Sequence, residues 1–185
     1  MARTPSNMIP LGTQAPDFIL PDTVSGKSVS LKDLKGTTGT VIMFICNHCP
    51  FVKHVNAGMV SMARDYQAKG IGFIAISSND VVNYPDDAPD LMTVNAREEG
   101  YPFPYLYDES QQVAQAYDAA CTPDFYIFDR DLQLVYRGQM DDSRPGNDIP
   151  VTGKDMRAAM DALLRGEAID TVQKPSIGCN IKWKV

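Results

Sequence analysis

The chain has 185 residues, 44% hydrophobic and 22% charged, with 17 Lys+Arg against 23 Asp+Glu for a net charge of −6. That length suits one domain with a sizeable core, and the acidic balance argues against nucleic acid or an anionic membrane surface as the main partner. No apolar run approaches the roughly 18 residues of a membrane span, residues 1–15 lack the apolar stretch of a secretory signal, and four cysteines are too few for a disulfide scaffold. The expectation is a single-domain cytoplasmic protein whose thiols are catalytic, metal-binding or inert rather than structural bridges.

Residues 1–11, with Pro5 and Pro10 and no periodic pattern, read as a lead-in to a core over 12–166, followed by a tail over 167–185. Two short strand candidates, 17–20 and 27–31, flank the turn-rich PDTVSG. TVIMFIC at 40–46 is a continuous apolar run, the pattern of a central strand buried on both faces. Val52, Val55, Met59, Met62 and Tyr66 then recur at steps of three and four, which predicts a helix ending near Lys69-Gly70. IGFIAIS at 71–77 is a second buried strand, 78–89 a polar loop, and 90–99 a short helix closed by Gly100. A brief strand at 105–107 and a short helix at 111–117 come next, then a hairpin of 124–129 and 132–138 around Asp129-Arg130-Asp131. The last helix is expected to begin at Thr152, whose spacing from Asp155 is that of a capping box, with Met156, Met160, Leu163 and Leu164 on its apolar face. Strands alternating with helices predict an α/β domain around a mixed sheet flanked by helices, parallel in its middle and antiparallel at one edge.

Cys46-Asn47-His48-Cys49 falls where the first buried strand gives way to the first long helix. A thiol there faces the unpaired N–H groups and partial positive charge of a helix N-terminus, which favour the thiolate. Two intervening residues let both sulfurs share one helical turn, close enough to form a disulfide, and a protonated His48 would lower the Cys46 pKa further. Three readings are open: a redox pair, two small apolar core residues, or a Cys/His metal module using Cys46, Cys49, His48 and His54, which Zn or Cu(I) would accept. The second ligand pair usual in a structural zinc site is missing, and the pair's place in a βαβ pattern favours redox chemistry.

Cys121-Thr122-Pro123 precedes the strand at 124–129, and a proline there can simply open a strand, where its missing donor does no harm. Cys121 and Cys179 are additional thiols, the latter read as a half-buried tail residue with no neighbour in sequence to react with. Asp80 and Asp108 each follow a strand, so either could serve the thiols as proton acceptor or, more commonly, cap a helix or turn. Asp86, Asp87 and Asp90, like Asp141, Asp142 and Asp148, read as solvated acidic loops, and Tyr101, Phe103, Tyr105 and Tyr107 as packing.

These residues resemble the thioredoxin-like superfamily, in its alkyl hydroperoxide reductase/thiol-specific antioxidant (peroxiredoxin-like) branch. GTQAPDFILP at 12–21 and VSLKDLKG at 29–36 look like that branch's N-terminal β-hairpin, and residues 40–50 like its active-site strand and loop. Residues 103–108, 114–117 and 122–129 follow its later order, and GCNIKWK looks like a feature of an uncharacterised subgroup of thioredoxin-family proteins. The resemblance implies a thioredoxin-like fold, Cys46 as nucleophile, Cys49 as resolving partner, and a cis Thr122–Pro123 bond facing them. It also implies a thiol–disulfide oxidoreductase in cell redox homeostasis, acting on protein or small-molecule disulfides with a thiol reductant and no cofactor. Its alternative is a thiol peroxidase with antioxidant activity, but Met43 and Gly39 stand where that branch carries Thr and Pro before its peroxidatic Cys. Thioredoxin's own pattern is altered too: Ile45 replaces the usual Trp, Asn47-His48 replaces Gly-Pro, and Pro50 follows the second Cys.

Overall fold

The computed structural model describes residues 3–185. In chain order it contains β1 (Arg3–Pro5), β2 (Ile19–Pro21), β3 (Ser28–Ser30), α1 (Leu31–Leu34), β4 (Gly39–Phe44), α2 (Pro50–Gln67) and β5 (Ile71–Ser77). There follow α3 (Pro89–Glu99), β6 (Tyr105–Tyr107), α4 (Gln112–Ala116), β7 (Cys121–Thr122), β8 (Asp124–Asp129), β9 (Leu134–Gly138), α5 (Lys154–Leu164) and β10 (Ile177–Asn180). Five strands form the central sheet in the order β6-β5-β4-β8-β9. Its middle pairings, β4 with β5 and β5 with β6, are parallel, while β8 pairs antiparallel with both β4 and β9.

Side-chain alternation explains why β4 reads as an unbroken apolar run. Val41 and Met43 enter one core with Val52, Met59 and Met62 of α2 and with Met156 and Met160 of α5. Ile42 and Phe44 enter the opposite core with Leu31 of α1, Ala114 of α4 and Tyr126 of β8. Neither face meets water, so no polar position interrupts the pattern. The apolar face expected for α2, from Val52 to Tyr66, is buried throughout.

The two ends of the chain differ from expectation. The anticipated lead-in and tail contribute β1 and β10, which with β7 make a second antiparallel sheet in the order β1-β10-β7. Its register sets Cys179 opposite both Arg3 and Thr122. Neither β1, with its Pro5, nor the two-residue β7 has an apolar alternation of its own, so neither announces itself locally.

The start of α5 is a second correction. Its N-cap is Gly153, at φ 70°, and no side chain within the helix caps it. The N–H of Lys154 reaches Thr152 Oγ1 at 3.3 Å and those of Asp155 and Met156 reach the Met140 carbonyl at 3.2 and 3.4 Å; the Asp141 carboxylate accepts the N–H groups of Thr152 at 2.8 Å and Gly153 at 2.7 Å just ahead of the helix, while Asp155 accepts from Gln139 Nε2 at 2.7 Å. Asp141 is therefore a buried structural acceptor and not a solvated loop residue. A capping box is present instead on α1, where Ser30 and Asp33 exchange backbone N–H bonds.

Candidate active site

β4 ends at Phe44 and α2 begins at Pro50, so Cys46-Asn47-His48-Cys49 spans the junction, with Cys49 as N-cap of the helix. Pro50 occupies the first turn, where its missing N–H leaves no helical bond unmade. Both cysteines are buried. Facing them is the Thr122–Pro123 peptide, which is cis as the resemblance implied. Thr122 touches both sulfurs: its Oγ1 lies 3.4 Å from Cys46 Sγ, and its carbonyl oxygen lies 3.2 Å from Cys49 Sγ.

The two thiols are shifted in opposite directions. Cys49 is lowered to about 5, first by the S–H of Cys46, then by the thiol of Cys179, the backbone N–H of Val52 in the first turn of α2 and Thr122, against the opposing effect of burial. Cys46 is pushed well up by its hydrogen bond to Cys49, by burial and by the carboxylate of Asp87, with Thr122 pulling the other way. Cys49 is thus the more acidic thiol of the pair. This reverses the expectation that His48 would draw the Cys46 pKa down.

His48 does not act alone, because Asp87 is buried beside it and binds its Nδ1 at 2.6 Å. The same carboxylate accepts the backbone N–H groups of Asn47 at 2.8 Å and His48 at 3.3 Å and the side-chain amide of Asn79 at 2.8 Å. Asp87 fixes the loop between the cysteines, a role that its place in the acidic run 86–90 concealed. The Asn47 side chain is held at both ends, donating to the Asp86 carbonyl at 3.0 Å and accepting from the Tyr105 hydroxyl at 2.9 Å. Tyr105, expected only to pack, therefore also orients the motif. His48 stacks on Tyr84 with ring centroids 6.0 Å apart, and its side chain is 22% exposed, making it the group of the motif nearest solvent.

Among the described residues, Cys46, His48 and Asp87 offer ligand atoms within 4.8 Å of one another and could hold a metal ion. That set differs from the one anticipated. Cys49 faces Thr122 and Cys179 instead, and His54 Nε2 bonds Ser143 Oγ at 2.7 Å. Neither carboxylate proposed as proton acceptor reaches the pair in this role: Asp80 receives Asn83 and Val82, and Asp108 receives Ser78 and the backbone of α4.

Cys179 is the sharpest departure from sequence reasoning. It is buried in β10, and its sulfur lies 2.8 Å from Cys49 Sγ. Cys121, by contrast, directs its sulfur at the Pro123 carbonyl at 3.6 Å and is pushed up by burial and by Asp124, which disfavours its thiolate.

Asp124, immediately after the cis proline, is buried with one carboxylate oxygen that has no hydrogen-bond partner among the described residues, and burial raises it to about 7 despite the Ala120 N–H on its other oxygen. A carboxyl raised from 3.8 to about 7 keeps its proton in the folded state while the unfolded chain has lost it, so its contribution to stability falls as pH rises through that window. Asp124→Asn should therefore gain stability relative to wild type between pH 4 and 7, by about 2–4 kcal/mol at the upper end. Urea unfolding of both proteins at pH 5 and pH 8 measures the difference; a constant offset would show that Asp124 does not titrate there.

With this geometry in place, residues 11–137 match the family model described as AhpC/TSA. The chain belongs to the AhpC/TSA family. The resemblance read from the motifs is borne out, as is the thioredoxin-like fold: a putative thiol:disulfide interchange protein DsbE from Chlorobium tepidum superposes with a TM-score of 0.66 at 21% identity, over 85% of this chain and 99% of that one. An uncharacterised conserved protein from Geobacillus kaustophilus is far more similar, with 64% identity, a TM-score of 0.98, and coverage of 100% of this chain and 97% of the other. Among curated proteins, the thiol-disulfide oxidoreductase ResA of Bacillus subtilis (strain 168) is 27% identical over 128 residues, which is 67% of this chain. The match spans 64% of ResA's own length. Met43, a core residue without a hydroxyl, and Gly39 lie in β4 at the positions where the resemblance led one to expect Thr and Pro.

Proposed function

We propose that the chain is a thiol–disulfide oxidoreductase whose redox pair is Cys46 and Cys49. The observation that carries this reading is the placement of two buried cysteines at a strand–helix junction, both sulfurs against Thr122 of the cis Thr122–Pro123 peptide, with Cys49 the more acidic of the two. Cys46 lies on the side of His48, the part of the motif nearest solvent, whereas Cys49 is screened by Thr122 and Cys179. A disulfide approaching past His48 meets Cys46 first. Cys46 attacks it as Cys49 takes the thiol proton, one substrate sulfur leaves as a thiolate, and a mixed disulfide forms. Cys49 then attacks Cys46, releasing the second substrate thiol and closing the Cys46–Cys49 disulfide. An external thiol reductant restores the dithiol. Substrates on this reading are protein or small-molecule disulfides, and a cytoplasmic setting belongs to the same proposal, to be checked by immunoblotting of fractionated cells.

Insulin-disulfide reduction with a dithiol reductant tests the pair. Cys46→Ser and Cys49→Ser should each lower the rate by about 100-fold or more, and Cys49→Ser should accumulate mixed disulfides on Cys46. The alkylation rate of Cys49 in the reduced protein should half-titrate near pH 5. Undiminished turnover in either variant would refute the assignment.

A further inference from the structure

We propose that Cys179 is a third redox thiol, exchanging with the pair through Cys49 so that the oxidised protein holds two interconverting disulfides, Cys46–Cys49 and Cys49–Cys179. The inference rests on the redox reading of the pair and adds a residue from the far end of the chain, 130 positions from Cys49. Its basis is placement. The Cys49 and Cys179 sulfurs are 2.8 Å apart, less than an ångström beyond a covalent S–S bond of about 2.05 Å.

β10 is held so that this approach is fixed. Its centre is bonded on both sides, by β1 and by β7, and Cys179 is in register with Thr122, the residue that touches both other sulfurs. Gly178 allows the close contact: a Cβ there would stand 1.9 Å from the Thr122 carbonyl oxygen. Beyond the strand, the Lys182 N–H bonds Asn79 Oδ1 at 2.9 Å and the Lys184 N–H bonds Gln111 Oε1 at 2.9 Å, which anchors the segment that follows.

The exchange is an isomerisation and needs no further oxidant. Starting from the Cys46–Cys49 disulfide made by the substrate, the Cys179 sulfur attacks Cys49, an S–S bond forms between them, and the bond to Cys46 breaks. The proton lost by Cys179 is taken up by the released Cys46 sulfur. Burial holds the reduced Cys179 thiol up at about 12, with the Cys49 thiolate adding to the effect; oxidation of Cys49 removes that neighbouring charge and so eases the attack. The product keeps the oxidising equivalent inside while Cys46 is again a thiol on the side of His48.

The test is to equilibrate wild type, Cys46→Ser and Cys179→Ser with glutathione buffers of varied redox ratio, quench with acid, alkylate, and map disulfide-linked peptides by mass spectrometry. Wild type should yield both linked peptides, and Cys46→Ser should still close Cys49–Cys179. Cys179→Ser should form Cys46–Cys49 alone and become harder to oxidise by a factor of one plus the isomer ratio, about twofold when the isomers are equal. If wild type forms Cys46–Cys49 but neither wild type nor Cys46→Ser forms Cys49–Cys179, the relay is overturned while the redox pair stands. If wild type forms no Cys46–Cys49 disulfide, the proposed function falls and the relay with it. The wild-type map decides between these by itself should a variant not fold.

Discussion

Replacing Asp87 with alanine is expected to destabilise the reduced protein by about 3–5 kcal/mol, more than any other single change to the loop between the cysteines. The reason is the number of donors that converge on one buried carboxylate: two backbone N–H groups, the His48 ring and the Asn79 amide. Truncation leaves the buried backbone and Asn79 donors without their acceptor, and urea midpoints of the two proteins read the loss. Asp87→Asn separates charge from packing. It keeps the shape of the side chain but removes the negative charge beside Cys46, so the Cys46 pKa should move down, seen as faster Cys46 alkylation at neutral pH. An unmoved Cys46 would mean that its hydrogen bond to Cys49 and its burial, the two larger causes of its high pKa, account for all of it.

Gly178→Ala is expected to have a comparable effect by a different route. The added methyl would lie 1.9 Å from the Thr122 carbonyl oxygen, 2.5 Å from its carbon and 3.1 Å from the Pro123 nitrogen. All three are backbone atoms flanking the cis bond, so no side chain can swing aside to relieve the overlap. Either β10 separates from β7 or the Thr122–Pro123 segment shifts, at about 2–4 kcal/mol. Both outcomes draw Cys179 from Cys49, and Cys49 loses one of the donors that hold it near 5. The variant should therefore combine a lowered urea midpoint with a Cys49 titration displaced to higher pH. A fully stable variant with an unshifted Cys49 would show that β10 does not depend on the missing Cβ.

The elements legible in the sequence are those whose side chains repeat a simple period. IGFIAIS, Tyr105–Tyr107 and Asp124–Asp129 occupy the strands expected of them, and α2 buries the stripe from Val52 to Tyr66. The Cys46/Cys49 motif and the cis Thr122–Pro123 bond were legible through short-range spacing and family likeness. What escaped was assembled by distant partners. β1 and β7 are too short to carry a pattern, and Cys179 has meaning only through Cys49, which nothing near it in sequence indicates. Asp87 and Asp141 escaped for another reason: both stand in acidic, proline-containing stretches typical of solvated loops, yet the backbone folds over them and turns each into a buried acceptor. The Thr152–Asp155 pair shows the converse, a capping-box pattern that does not form because the Met140 carbonyl takes the Asp155 N–H and Gln139 takes its carboxylate.

The order of synthesis gives the threading of β10 between β1 and β7 a further meaning. β10 follows every other element in the chain, whereas β4, the cysteine pair and α2 emerge early and can pack against β5 as soon as it appears. Domains form as the chain grows, and contacts between distant residues come late. Without β10, Arg3–Pro5 would lack its strand partner and the edge of Cys121–Thr122 would be uncovered. Docking of the last strand closes both edges in one event and delivers the third sulfur.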